Sequence, residues 1–159
     1  MQLSLKRIVI GILSLYVALQ WYSIFLVSNI GVIASQFTAK TLFWSLWIIG
    51  KDPIIEKSLV IADSTRFGII PECTIVAPLL LLIVGALITP FSFQKKIRII
   101  FIAFILLSLI NIIRLSSLFF LLSFDSQYYE MIHVLIWQPI IIISTMVIWG
   151  WWVFTETIS

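Results

Sequence analysis

A chain of 159 residues that is 62% hydrophobic and only 11% charged, with a mean hydropathy of +1.17, has too few polar side chains to cover a soluble domain. At roughly 20 apolar residues per crossing of a hydrocarbon core about 30 Å thick, this length allows about four spans and one modest extramembrane segment. The net charge of +3 is too small to mark a nucleic-acid partner, and a single cysteine excludes an internal disulfide and a CxxC redox pair.

Lys6 and Arg7 precede an apolar run from Ile8 to Val27 that is interrupted by one strongly polar residue, Gln20. The run exceeds the roughly 7–15 apolar residues of a cleavable signal peptide, so it reads as a retained signal anchor with its basic flank in the cytoplasm. Phe37–Gly50 is short and carries Lys40 and Thr41 near its start. Counting it as a span would move the Lys95, Lys96 and Arg98 cluster outside, so it is expected as an amphipathic or re-entrant helix at the outer surface. Ser58–Ala62 and Phe67–Pro71 are β-prone runs around Asp63-Ser64-Thr65-Arg66, which predicts a short hairpin.

The second span begins near Thr74 and ends before Gln94-Lys95-Lys96-Ile97-Arg98. The third ends at the polar stretch Asp125-Ser126-Gln127-Tyr128-Tyr129-Glu130, and the fourth carries Trp149, Trp151 and Trp152 as an interfacial belt. Spans are thus expected at about 8–28, 74–93, 97–123 and 131–154, with an extracytoplasmic segment at 29–72. The whole is one domain, 1–159: an all-α polytopic membrane protein with an outer-surface amphipathic helix and a short β-hairpin. Both termini are expected in the cytoplasm, in a plasma-membrane location.

Three polar residues fall at one face of that plan. Cys73 opens the second span and His133 opens the fourth. Arg114 lies 16 positions beyond Arg98, a rise of roughly 24 Å, which puts it in the outer leaflet. Ser108, Asn111, Arg114 and Ser117 recur at i+3 and so share one helical face, as expected where a helix meets a cavity or the bundle interior. Taken singly, Arg114 also fits a side chain snorkelling to lipid phosphate, His133 a structural histidine, and Cys73 a small buried hydrophobe. Together they suit nucleophilic catalysis: a thiol activated by a cation or a helix N-terminus, an imidazole as base and acid, and a guanidinium as anion stabiliser. Pro78 suits the first turn of the second span, which leaves Cys73 at or just before the helix start. Glu72 either orients His133 or faces water. A single histidine and no His-Glu-x-x-His leave no zinc site, and no cofactor is expected.

Pro71-Glu72-Cys73-Thr74, then Asn111-Ile112-Ile113-Arg114-Leu115, then His133 resemble, in order and topology, the exosortase/archaeosortase family of membrane cysteine transpeptidases. Asn111–Leu122 with His133-Val134-Leu135-Ile136-Trp137-Gln138 is most similar to the short branch called exosortase H, over roughly Lys57 to Trp152. The resemblance implies catalytic Cys73, Arg114 and His133, with Asn111, Glu72 and Thr74 in support. It implies as partners secreted proteins with a C-terminal sorting signal (motif, transmembrane helix, basic tail) and a lipid or glycan acceptor. Ile75 departs from the family's Cys-Ser/Thr-Gly, which leaves the backbone oxyanion donor open. Two other readings fit the same residues: an intramembrane cysteine peptidase that uses water, and a non-enzymatic membrane assembly factor.

Overall fold

The computed structural model describes residues 5–124 and 127–158. The Lys6 and Arg7 side chains, and Asp125 and Ser126 of the expected acidic turn, lie outside the described part. The elements in order are α1 (Leu5–Val27), α2 (Asn29–Ile48), β1 (Ile54–Glu56), β2 (Leu59–Ala62), β3 (Thr65–Gly68), a 3₁₀ turn (Pro71–Cys73), α3 (Val76–Ile88) and α4 (Phe93–Phe124). They close with α5 (Tyr129–Ile132), a π-helical segment (His133–Trp137) and α6 (Gln138–Ile158). Among the described residues, three helical stretches are long and apolar enough to cross a membrane: Ile8–Val27, Phe93–Phe124 and the unbroken Tyr129–Ile158.

The expected second span is shorter than its apolar run. Thr89 is extended and Pro90 follows it, so helix α3 proper has 13 residues and rises only about 20 Å. Pro78 is the third residue of α3, where an N–H has no intrahelical partner to lose. The large apolar side chains of these helices point outward: Ile12, Val17 and Ile24 of α1 and Phe101 and Ile113 of α4 are all more than half exposed. Such a surface is costly in water and natural in lipid.

The Phe37–Gly50 expectation is corrected in length and packing. Its helix starts earlier, at Asn29, because the Ser28 hydroxyl accepts from the Gly31 N–H (3.2 Å) and caps it. Nor does it only lie at a surface: Ala39, Leu42 and Leu46 are fully buried in one cluster with Leu115, Leu118 and Phe119 of α4. The Ser45 and Ser116 hydroxyls meet at 3.0 Å across that contact.

The hairpin is a three-stranded antiparallel sheet in the order β1-β2-β3. Asp63 and Ser64 both have positive φ (47° and 70°), so a two-residue turn suffices and Ala62 pairs directly with Thr65. That shortens the expected four-residue turn and moves β3 to Thr65–Gly68. The added strand β1 is only three residues long and follows Pro53, too little for a period-2 signal. Val60, Ala62 and Phe67 alternate inward and pack on the α2–α4 cluster, while the Thr65 hydroxyl donates to that of Ser123 (3.0 Å).

A second cluster (Leu82, Ala86, Ile99, Ala103, Leu107, Ile148, Trp152) fills the other end. There Lys95 of α4 pairs with Glu156 of α6, and the Lys96 ammonium donates to the Leu87 carbonyl (3.2 Å). Gly11 of α1 lies against Ile88, so the start of α1 and the end of α6 share this basic end. The tryptophan belt is corrected too: Trp152 is buried with its ring edge on Phe91, and Trp149 packs on Gly85. Trp151 alone of the three is mostly exposed, at 54%.

Upstream of Pro139, which has no N–H, the Gln138 N–H reaches back five residues to the His133 carbonyl. The helix widens there into its π-type segment, which starts on His133.

Candidate active site

Between the two apolar clusters the bundle gathers its buried polar atoms. Asn111 and Arg114 belong to the inward stripe of α4, Ile99, Ala103, Leu107, Asn111, Arg114 and Leu118, and are 4% and 6% exposed. The serines expected to share their face serve their own helix instead. Ser108 donates to the Phe104 carbonyl (2.6 Å) and Ser117 to the Arg114 carbonyl (2.8 Å).

The Asn111 amide donates to the Cys73 carbonyl at 2.9 Å, which ties the 3₁₀ turn to the middle of α4. The turn is closed from within: Cys73 N–H bonds the Ile70 carbonyl (2.9 Å), and the Thr74 hydroxyl bonds the Pro71 carbonyl (2.7 Å). Cys73 is free and 5% exposed. Ile75 is the N-cap of α3, so Cys73 stands two residues before the cap, just ahead of the helix start.

Arg114 reaches the other way. Its Nη2 lies 2.8 Å from His133 Nε2. A guanidinium only donates, so Nε2 holds a lone pair and the ring proton sits on Nδ1: His133 is neutral in this arrangement. The expected direct pairing of His133 with the thiol is therefore not the resting contact; among the described residues no hydrogen bond joins the Cys73 sulfur to His133 or Arg114. Arg114 still acts on the thiol through space. Cys73 lies in the turn outside the long helices, and burial pushes its thiol above the ordinary range. The Ile70 backbone and Arg114 pull it down, and Glu72 adds to the rise.

A cavity of about 250 Å³ opens onto Arg114 and His133, with Glu72, Thr74, Asn111 and Gln138 among its polar lining. Glu72 is exposed at its rim and forms no bond to His133. Two buried polar atoms here have no partner: Arg114 Nε, a donor, and Asn111 Oδ1, an acceptor. Such orphans cost about 1–3 kcal/mol each and persist where a ligand can satisfy them.

Tyr129, part of the polar stretch after α4 in the sequence, joins the site. Its ring stacks on His133 (5.9 Å between centroids, 6° between planes) and meets Phe67 of β3 edge-on at 6.1 Å. Its i−4 spacing from His133 is the signal that could have found it. Tyr22 of α1 is near enough to couple electrostatically to Cys73 and Arg114, and nothing in the sequence pattern marks it. No family model matches the chain, and comparison found no similar curated protein and no similar solved structure.

Proposed function

We propose that this chain is a membrane-embedded cysteine transpeptidase of the exosortase/archaeosortase kind. The observation that carries the reading is that Asn111, which holds the Cys73 carbonyl, lines one cavity together with the Arg114–His133 pair and its unpartnered Arg114 donor. In the proposed arrangement four segments cross the plasma membrane, α3 being the fourth. The Lys95, Lys96 and Arg98 end is cytoplasmic with both termini, and the cluster faces outside.

The substrate is a secreted protein with a C-terminal sorting signal. Its scissile carbonyl accepts from Arg114, which draws the guanidinium away from His133 and frees Nε2 as a base. The Cys73 thiol gives its proton to His133, and the sulfur attacks the carbonyl carbon. The developing oxyanion rests on Arg114. Collapse breaks the C–N bond, His133 protonates the departing amine, and a thioester remains on Cys73. A lipid or glycan acceptor then takes the acyl group. Asn111 holds the Cys73 carbonyl so that the sulfur keeps its place.

The test is the intact mass of a tagged candidate substrate coexpressed with wild type or Cys73→Ala. A substrate that loses its tail and gains acceptor mass only with wild type supports the proposal. Loss of the tail with no added mass makes the protein a peptidase that uses water. One observation favours the second reading, a non-enzymatic membrane assembly factor: the thiol is buried, and burial disfavours its ionised form. Identical substrate in both strains, across several signal motifs, would establish that reading.

A further inference from the structure

Asn111 and Thr74 form a wall between two cavities rather than the side of one. Beyond the cavity that opens on Arg114, a second of about 180 Å³ lies between α2 and α4 and shares Thr74, Ile75 and Asn111 with the first. Its lining is unlike that of the lipid-facing grooves elsewhere, because it carries Thr38, Thr41, Ser108 and Asn111. Cys73 belongs to the same buried cluster as Ala39 and Leu42, on the α2 side. The Thr41 and Ser108 hydroxyl protons are engaged by backbone carbonyls, so these groups offer lone pairs to the cavity. Asn111 Oδ1 is a buried acceptor without a donor.

Asn111 lines both cavities, so its free acceptor stands in the wall itself and complements the free Arg114 donor beside it. The first cavity holds an unpartnered donor, Arg114 Nε, suited to a carbonyl oxygen or an oxyanion. The second is lined by acceptors, suited to an N–H or O–H group. We propose that the α2–α4 cavity seats the nucleophile of the second half-reaction, an amine or hydroxyl whose X–H donates to Asn111 Oδ1. The acyl donor and acyl acceptor then approach Cys73 from opposite sides of the Thr74–Asn111 wall. The proposal rests on the cysteine transpeptidase reading. In the step it describes, X–H adds to the thioester carbon, the C–S bond breaks, a C–X bond forms, and the proton passes to the thiolate sulfur. Two entrances let the acceptor arrive before the cleaved tail has cleared the first one, which limits loss of the thioester to water.

The test separates the half-reactions in the full-length protein with an activated ester, p-nitrophenyl acetate, as acyl probe. Methylamine and methanol serve as acceptor probes small enough for the cavity, and product mass distinguishes amide from ester. Ser108→Phe fills the second cavity without touching Cys73, Arg114 or His133. The expected result is a nitrophenolate burst unchanged within about two-fold, acetyl-enzyme that accumulates, and transfer to the acceptor reduced at least about ten-fold. Thr41→Leu, from the opposite wall, gives the same split and covers a Ser108 variant that does not fold. Transfer that is unaffected in the folded variants, or that falls in step with the burst, overturns the proposal. Absence of any Cys73-dependent burst in wild type overturns the transpeptidase reading itself, and this assignment with it.

Discussion

Replacing Arg114 by methionine separates a residue kept for folding from one kept for chemistry. Arg114 is 6% exposed, and among the described residues its side chain makes one hydrogen bond, to His133, and leaves Nε without a partner. Loss of that bond costs about 1.5–3 kcal/mol, at the charged end of the hydrogen-bond range. Against it, the variant removes the Nε orphan, worth about 1–3 kcal/mol, and the desolvation cost of a buried cation that pairs with no carboxylate among the described residues, several kcal/mol more. Methionine fills similar length with a flexible apolar chain, so little cavity is left. His133 faces the cavity, so water replaces its lost donor. The two gains overlap, so the net is that of exchanging a buried ionic group for an apolar one, from no change to about 4 kcal/mol of added stability. Arg114→Lys keeps the buried charge with fewer donors and should be less stable than the methionine variant. Unfolding midpoints in detergent, followed by tryptophan fluorescence, read the order directly. The expected outcome is Met at or above wild type and Lys below Met, with both variants inactive. A loss of more than about 2 kcal/mol in Arg114→Met would show that the fold depends on Arg114, against this account.

The remaining expectations concern the thiol and two close approaches. Because burial holds the Cys73 thiol above its ordinary range, its alkylation rate should climb only at a higher pH than that of a free thiol, and Arg114→Met should move the midpoint further up by removing a downward pull. The sign for stability follows: the folded state prefers the neutral thiol, so this contribution is present below the unfolded thiol's pKa and is lost as pH rises through the folded one. A rate profile with its midpoint at neutral pH would contradict the burial argument. In Gly85→Ala the new Cβ would stand 2.8 Å from Trp149 Nε1. Overpacking of about 1–3 kcal/mol less a helix-propensity gain of about 1 leaves a net loss of up to about 2. In a Trp149→Ala background the same change should stabilise by about 1 kcal/mol, and a sign that does not reverse refutes the contact. In Gly31→Ala the Cβ would meet the Phe25 carbonyl oxygen at 2.3 Å, backbone that cannot swing aside. It should cost about 3 kcal/mol or more, whereas Gly150→Ala, with nothing nearby, should gain up to about 1 in the same melting assay.

The long helices were readable because apolar run length is a coarse and robust signal: 8–28, 97–123 and 131–154 differ from the observed helices mainly in their ends. Ser28 caps α2 by an ordinary hydroxyl contact that could have been read from the sequence, but the lysine at position 40 argued against a longer helix. The sheet was half readable. A β-prone run beside a turn marks β2, while β1 exists only because β2 offers it a ladder, a tertiary cause with no local trace. At the site, helical spacing correctly put Asn111 and Arg114 on one inward face. Spacing could not say whether His133 would meet Arg114 or Cys73, because that depends on how α4 and the π-helical segment rotate against each other. Nor could it find Tyr22, whose place depends on α1 packing beside the 3₁₀ turn.

The widened turn at His133–Trp137 has a consequence for rotation about the helix axis. The buried positions of α6, Ile141, Thr145, Ile148 and Trp152, define a stripe. Continued backward at 3.6 residues per turn, that stripe meets position 134, within about 20°, and leaves position 133 about 80° to one side. One additional residue taken up in the wider turn advances everything before it by about 100°, so His133 comes onto the stripe and Val134 turns out to 40% exposure. The inward aim of the imidazole is thus a matter of residue count. A deletion within 134–137 keeps His133 on Arg114 but restores a regular turn against the Pro139 ring. An insertion in the same four residues, which substitutes no residue of the site, turns the histidine about 100° off the stripe.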